Sequence, residues 1–114
     1  METFVKRSLL FDFYGELLTD HQKRIYQEIV FEDFSVSEVA RDEGISRQGV
    51  HDLMKRCDRI LQDYEERLHL VDRFIRIRAE IDRIRELAGP SCEGDVSGRM
   101  EQISAIADGI RKEL

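Results

Sequence analysis

Ser35-Val-Ser-Glu-Val-Ala-Arg-Asp-Glu-Gly-Ile-Ser-Arg-Gln-Gly-Val-His-Asp-Leu-Met-Lys-Arg56 holds two helix starts and one helix stop. Ser35-Val-Ser-Glu38 is a capping box, in which the serine hydroxyl and the glutamate satisfy backbone amides that the first turn leaves free. Gly44 can end that short helix because glycine enters the left-handed region without steric cost. Ser46 caps a second helix two residues later. Two turns of helix, a tight glycine turn and a second capped helix make a helix-turn-helix over residues 36–56. The helices of such a unit cross closely, which calls for a small residue, a turn glycine and apolar anchors behind the second helix. Ala40, Gly44 and Val50 fill those roles, with Val36, Val39, Ile45 and Leu53 as the remaining inward positions.

Upstream, Val5, Leu9, Leu10, Phe13 and Leu17 recur at helical intervals, widened by Phe11 and Tyr14, and predict a helix over Phe4 to Leu17 buried on a broad side. Thr19-Asp-His-Gln22 is a second capping box. It opens a helix through about Phe31 with Ile25, Ile29 and Val30 inward. The aromatics Phe11, Phe13 and Tyr14 read as core rather than as a stacking platform for bases.

Downstream of Gly49 neither Gly nor Pro interrupts the pattern until Gly89-Pro90, and so long a run is expected to bend or break near Tyr64 to Leu70. Its apolar stripe shifts around the helix, from Leu61, Tyr64, Leu68, Val71 and Ile75 to Phe74, Ile77, Ile81, Ile84 and Ala88. After the loop Gly89 to Asp95, the positions Val96, Met100, Ile103, Ala107, Ile110 and Leu114 form another stripe. That helix is expected to fold back antiparallel on residues 70–88. The chain thus reads as all-α, five or six helices. A module over residues 1–64 contains the helix-turn-helix, and a C-terminal hairpin over residues 65–114 belongs to the same compact unit and offers a homodimer seam.

Composition agrees. The chain has 114 residues, 41% hydrophobic and 37% charged with a single Pro, which suits one solvated helical domain and excludes an all-β fold. The formal net charge of -6 excludes attachment to nucleic acid by bulk electrostatics, so any such role needs a local patch. No uncharged window approaches the length of a membrane span, so a soluble cytoplasmic protein without membrane insertion is expected. Cys57 and Cys92 have no partner at metal-ligand spacing, and His21, His51 and His69 are scattered. Neither a metal, a cofactor nor a catalytic triad is expected, and without a glycine-rich phosphate loop no nucleotide hydrolysis. The expectation is a non-enzyme.

The outward face of the second motif helix carries Arg47, Gln48, His51 and Lys55, with Arg56 and Arg59 beside it, side chains able to contact phosphates and base edges. Between Ser35 and Arg59 five basic residues face five acidic ones. Nucleic-acid contact therefore competes with use of the motif as a protein-binding or packing unit. Asp52 on the same face either accepts from a cytosine amino group or pairs with Lys55 or Arg56 along the helix, the ion pair being the structural reading. Between Arg67 and Arg85 six arginines face three acidic residues. Arg67, Arg78 and Arg85 border one edge of the stripe and Arg73, Arg76 and Arg83 the other. They read either as an RNA-phosphate surface or as stems packed over a helix seam and paired with residues such as Glu80 or Glu86.

Leu9-Leu-Phe-Asp-Phe-Tyr-Gly-Glu-Leu-Leu-Thr19, Ile45-Ser-Arg-Gln-Gly-Val-His-Asp52, Lys55-Arg56 and Leu61-Gln-Asp-Tyr-Glu-Glu-Arg-Leu-His-Leu70 together resemble the YlxM family of small bacterial helix-turn-helix proteins. The resemblance covers roughly residues 8–70. It implies a module similar to the DNA-reading region of sigma factors, and an accessory or regulatory role with the signal recognition particle. The implied partners are that particle's RNA, its GTPase subunit, or both. Ser46-Arg47-Gln48, Val50, Asp52 and Lys55-Arg56 fit the family's second motif helix. Gly49, His51 and Leu53 depart from it, since the family more often has alanine, tyrosine and isoleucine there. A duplex-DNA transcription regulator is the alternative function.

Overall fold

The structure, a computed structural model, describes residues 3–90 and 93–114. Cys92 and its neighbour Ser91 lie outside the described residues. Among the described residues six α-helices follow one another: α1 (Thr3–Tyr14), then a 3-10 turn (Gly15–Leu17), α2 (Asp20–Val30), α3 (Val36–Glu43), α4 (Arg47–Leu68), α5 (Leu70–Ala88) and α6 (Val96–Glu113). Among the described residues there is no strand, and the fold is all-α. Two compact units result, one up to Val71 and one from Asp72 onward.

In the first unit the caps form as their sequences require. Thr19 Oγ1 accepts from Gln22 N–H at 3.2 Å while Gln22 Oε1 accepts from Thr19 N–H at 3.0 Å, so both halves of the box are made. Ser35 and Glu38 repeat it at the start of α3. Gly44 sits at φ 69°, and Ile45 N–H reaches back to the Ala40 carbonyl at 3.0 Å, the six-to-one bond of a Schellman turn. Ser46 Oγ accepts from Gly49 N–H at 2.9 Å and starts α4.

α4 is the axis of this unit, and α1, α2 and α3 all pack on it. Its buried positions Val50, Met54, Cys57 and Leu61 meet Leu10, Tyr14, Ile25, Tyr26, Val39 and Ala40. The small Ala40 allows the close crossing of α3 and α4. Burial, then the carboxylate of Asp58, pushes the Cys57 thiol up to about 11 from its ordinary 9.0.

Four inward assignments, three on α1 and one in the motif, change. On α1 the buried stripe is Leu10 and Tyr14, continued by Leu18, whereas Val5, Phe13 and Leu17 are exposed. The α-helix stops at Tyr14 and the tighter 3-10 turn resets the angular register, so Leu18 rather than Leu17 points inward. Phe11 stacks on Tyr26, with ring centroids 5.5 Å apart, which joins α1 to α2. In the motif, Ile45 is 39% exposed, because it follows the left-handed turn and leaves the α3–α4 seam to Val39 and Val50. Met54 and Cys57 extend that seam.

The long run breaks within the expected window. α4 ends at Leu68, and His69 takes the left-handed conformation at φ 57°. Tyr14 closes the break: its hydroxyl donates to Glu65 Oε1 at 2.6 Å and accepts from Leu70 N–H at 3.1 Å, while Val71 N–H donates to the same Glu65 oxygen at 2.9 Å. The first free amides of α5 are thus satisfied by side chains from α1 and α4.

In the second unit α5 and α6 run antiparallel. Arg76, near the start of α5, pairs with Glu113 at the end of α6 at 3.1 Å, and Arg99, early in α6, reaches the carbonyls of Leu87 and Gly89 at 3.4 Å. Asp95 caps α6 through Gly98 N–H at 2.9 Å. Arg83 pairs with Glu86, as the seam reading expected, whereas Arg76 takes Asp72 and Glu113. Glu80 Oε2 is buried without a hydrogen-bond partner among the described residues.

Candidate nucleic-acid interface

The orientation of α3 against α4 sets the face that α4 turns outward. It is held at the surface by a clamp from α2: Arg24 Nη2 donates to both Glu43 oxygens at 2.8 and 2.9 Å, and His21 Nε2 lies 3.3 Å from Oε2. The Arg24 guanidinium, then His21, holds the Glu43 carboxyl below its ordinary range. The clamp ties α2 to the end of α3 and leaves the starts of α3 and α4 open.

Arg47, Gln48 and His51 stand on that open side and line one cleft with Ser35, Val36 and Ser37. All three are exposed. The N-termini of α3 and α4 both border this cleft, and their aligned peptide dipoles add partial positive charge to that of Arg47. Such an arrangement can receive a phosphate oxygen at the helix starts while Gln48 and His51 present hydrogen-bonding groups further along.

The other sequence-selected residues are not in that cleft. Arg56 opens on the opposite flank of α4, beside Thr19, His21 and Gln22 from the start of α2 and Asp52, Leu53 and Gly49 from α4 itself. Arg59 lies in a third cleft shared with α1. Lys55 is exposed between these flanks. At 100° per residue Gln48, Lys55 and Arg59 form one outward row, and Arg47 and Arg59 are about 18 Å apart along the helix axis.

Asp52 pairs with neither Lys55 nor Arg56. Its Oδ1 accepts from Gln48 Nε2 at 2.9 Å, one helical turn back. That bond fixes the Gln48 amide and leaves Lys55 and Arg56 outside any ion pair among the described residues. Gly49 is crowded: a Cβ there would lie 3.2 Å from the capping Ser46 Oγ.

Sequence reading missed the part played by α1. Lys6 and Arg7 come up against Asp58, Arg59 and Gln62 of α4. Arg7 Nη2 donates to Asp58 Oδ2 at 2.6 Å and the Tyr26 hydroxyl to Asp58 Oδ1 at 2.8 Å, a junction of α1, α2 and α4. The Lys6-Arg7 pair was the visible signal, but its neighbours are more than fifty residues away and only packing brings them close. Burial, and then the bond to Asp58, pushes the Tyr26 phenol well above its ordinary range.

Among the described residues no group of three or more His, Cys, Asp or Glu side chains is placed to hold a metal ion. No helix there is long and apolar enough to cross a membrane.

Comparison with known proteins agrees with this geometry. The family described as "Putative helix-turn-helix protein, YlxM / p13 like" matches residues 1–92, beyond Leu70 and through the whole of α5. A UPF0122 protein of Symbiobacterium thermophilum is 41% identical over 106 residues, 93% of this chain and 96% of that one. The UPF0122 protein YlxM of Bacillus subtilis is 35% identical over 112 residues, 98% of this chain and 96% of that one. A UPF0122 protein of Caldanaerobacter subterraneus is 41% identical over 85 residues, 75% of this chain and 73% of that one. With its two capped helices, left-handed glycine turn and near-complete overlap with the Symbiobacterium and Bacillus relatives, the chain belongs to the YlxM / p13-like family of helix-turn-helix proteins.

Proposed function

We propose that this protein is a non-catalytic, cytoplasmic accessory of the signal recognition particle system, regulating it by contact with the particle's RNA, its GTPase subunit, or both. The nucleic-acid part of this reading is carried by one observation: Arg47, Gln48 and His51 share an open cleft with the N-termini of α3 and α4. That cleft favours a phosphate group without an excess of basic residues, which a chain of net charge -6 lacks. The link to the particle rests on the family resemblance of residues 8–70.

The test is a side-by-side titration of the protein with signal recognition particle RNA, the GTPase subunit and random duplex DNA at two salt concentrations. RNA or the GTPase subunit should bind well above random duplex. RNA binding should weaken steeply with salt, and Arg47→Glu or Lys55→Glu should reduce it. Binding of random duplex alone, or of nothing, refutes the targeting role. RNA binding that survives both charge reversals refutes the nucleic-acid face.

A second reading, a duplex-DNA transcription regulator, is favoured by the α3–α4 crossing, the arrangement that places a recognition helix against a groove. It expects discrimination between duplex sequences and, in a dimer, two-fold related half-sites. The exposed Ile81 of α5 and Val96 and Met100 of α6 support a homodimer seam in the second unit. Light scattering on the purified chain tests it: a monomeric mass at all concentrations removes the dimer.

A further inference from the structure

Lys6 of α1 and Arg59 and Gln62 of α4 surround the third cleft, with Thr3, Leu10 and the Arg7–Asp58 pair. Among the described residues the single acid in this cleft, Asp58, is compensated. Asp58 Oδ2 takes Arg7 at 2.6 Å, and its Oδ1 takes the Tyr26 hydroxyl at 2.8 Å. Lys6 and Arg59 are both exposed, and among the described residues neither makes an ion pair. Asp63, one helical turn beyond Arg59, does not draw it away. Two uncompensated cations therefore stand together in a chain with 24 acidic and 18 basic residues. The flank of Arg56, by contrast, also holds Asp52, and among the described residues the first cleft holds Arg47 as its only fixed cation.

The position matters as much as the charge. Arg59 belongs to the outward row of Gln48 and Lys55, about 18 Å along α4 from Arg47, too far for one phosphate to serve both ends. Resting on the reading that α4 faces a nucleic acid, we propose that the α1/α4 cleft is a second phosphate-binding site, which holds the sugar-phosphate backbone of a duplex through Lys6 and Arg59. The Thr3 hydroxyl and the Gln62 amide supply hydrogen bonds to the same phosphodiester oxygens. The footprint of the protein thus extends beyond the helix-turn-helix onto α1, which a two-helix view of the motif omits.

Salt dependence separates this site from the first. Fluorescence anisotropy is run with an RNA stem and a random DNA duplex, each of about 20 base pairs, over a roughly threefold range of KCl, on wild type, Lys6→Gln/Arg59→Gln and Arg47→Gln. Each phosphate contact contributes about 0.9 to the logarithmic salt slope on B-form DNA, so the double variant should be shallower by about 1.8. The affinity gap to wild type should then shrink about sevenfold across that salt range. On the RNA stem the double variant should lose about twice the slope that Arg47→Gln loses, and Lys6→Arg should keep the wild-type slope. An unchanged slope in the double variant, with a reduced one in Arg47→Gln, overturns the second site and leaves the α4 reading standing. No salt-dependent binding of wild type to either duplex overturns both. The two duplex arms tell which backbone is held. Both substituted side chains are exposed, so an unchanged thermal midpoint confirms that the variants fold.

Discussion

Replacing Tyr14 by phenylalanine should unlock the junction between α4 and α5. Tyr14 is 1% exposed, and its hydroxyl joins three elements, donating to Glu65 Oε1 at 2.6 Å and accepting from Leu70 N–H at 3.1 Å. Phenylalanine keeps the ring and its stacking on Tyr64, with centroids 6.0 Å apart, so the change removes polar bonds and little packing. A hydrogen bond to a charged acceptor contributes about 1.5 to 3 kcal/mol, and a buried amide left without a partner costs about 1 kcal/mol or more. Glu65 is only half-buried and retains Val71 N–H at 2.9 Å, which places the total near the lower end, about 2 kcal/mol. For a domain of this size that is a fall in Tm of about 10 °C. Urea unfolding followed by circular dichroism measures the free energy, and hydrogen exchange of the Leu70 amide reports the lost bond locally. A Tyr14→Phe/Glu65→Gln cycle isolates the pair. If Tyr14→Phe lies within about 0.5 kcal/mol of wild type and Leu70 stays protected, the junction is not held by this hydroxyl and the reasoning fails.

Three further outcomes follow from the same geometry. Gly44→Ala should destabilise by about 1 kcal/mol because of the left-handed φ of 69°, since the space around a Cβ there is open; equilibrium unfolding checks it. Stability should decline as pH rises above the ordinary phenol value of 10.0. The folded state holds the protons of Tyr26 and Tyr14 after the unfolded chain has released them, chiefly because both rings are buried, so the stabilisation is complete below that pH and lost above it. Unfolding midpoints on either side of pH 10.0 test this, and Tyr26→Phe should flatten the decline. Asp52→Asn should tighten duplex binding about twofold to threefold, because one like charge about 8 Å from a phosphate costs roughly 0.5 kcal/mol in water. The retained amide oxygen still accepts from Gln48, and weaker binding of Asp52→Asn in the anisotropy titration would contradict the orientation given to this face.

The local signals in the chain were sufficient for the helix starts and stops. Thr19, Ser35 and Ser46 act within three residues of the amides they cap, and Gly44 acts on its own backbone, so neighbours in sequence contain all the physics required. The break before α5 was legible as a region, since an unbroken helix from Ser46 to Ala88 with a shifting stripe is improbable, but not as His69, whose left-handed turn depends on Tyr14 for closure. Arg47, Gln48 and His51 were legible as one face because their spacing alone puts them on the same side of α4.

What the sequence by itself determined is therefore the set of helices, the helix-turn-helix and the outward face of α4, since each depends on interactions spanning one or two turns. The tertiary structure alone decided which face of α1 is buried, the Asp58 junction with Arg7 and Tyr26, and the division of the cations among three clefts. The Asp58 junction and the second and third clefts join residues more than thirty positions apart, and helical periodicity places a residue on a face of its own helix without saying which partner meets it. Lys6 and Arg59 share a cleft only because Leu10 and Tyr14 bring α1 down onto α4.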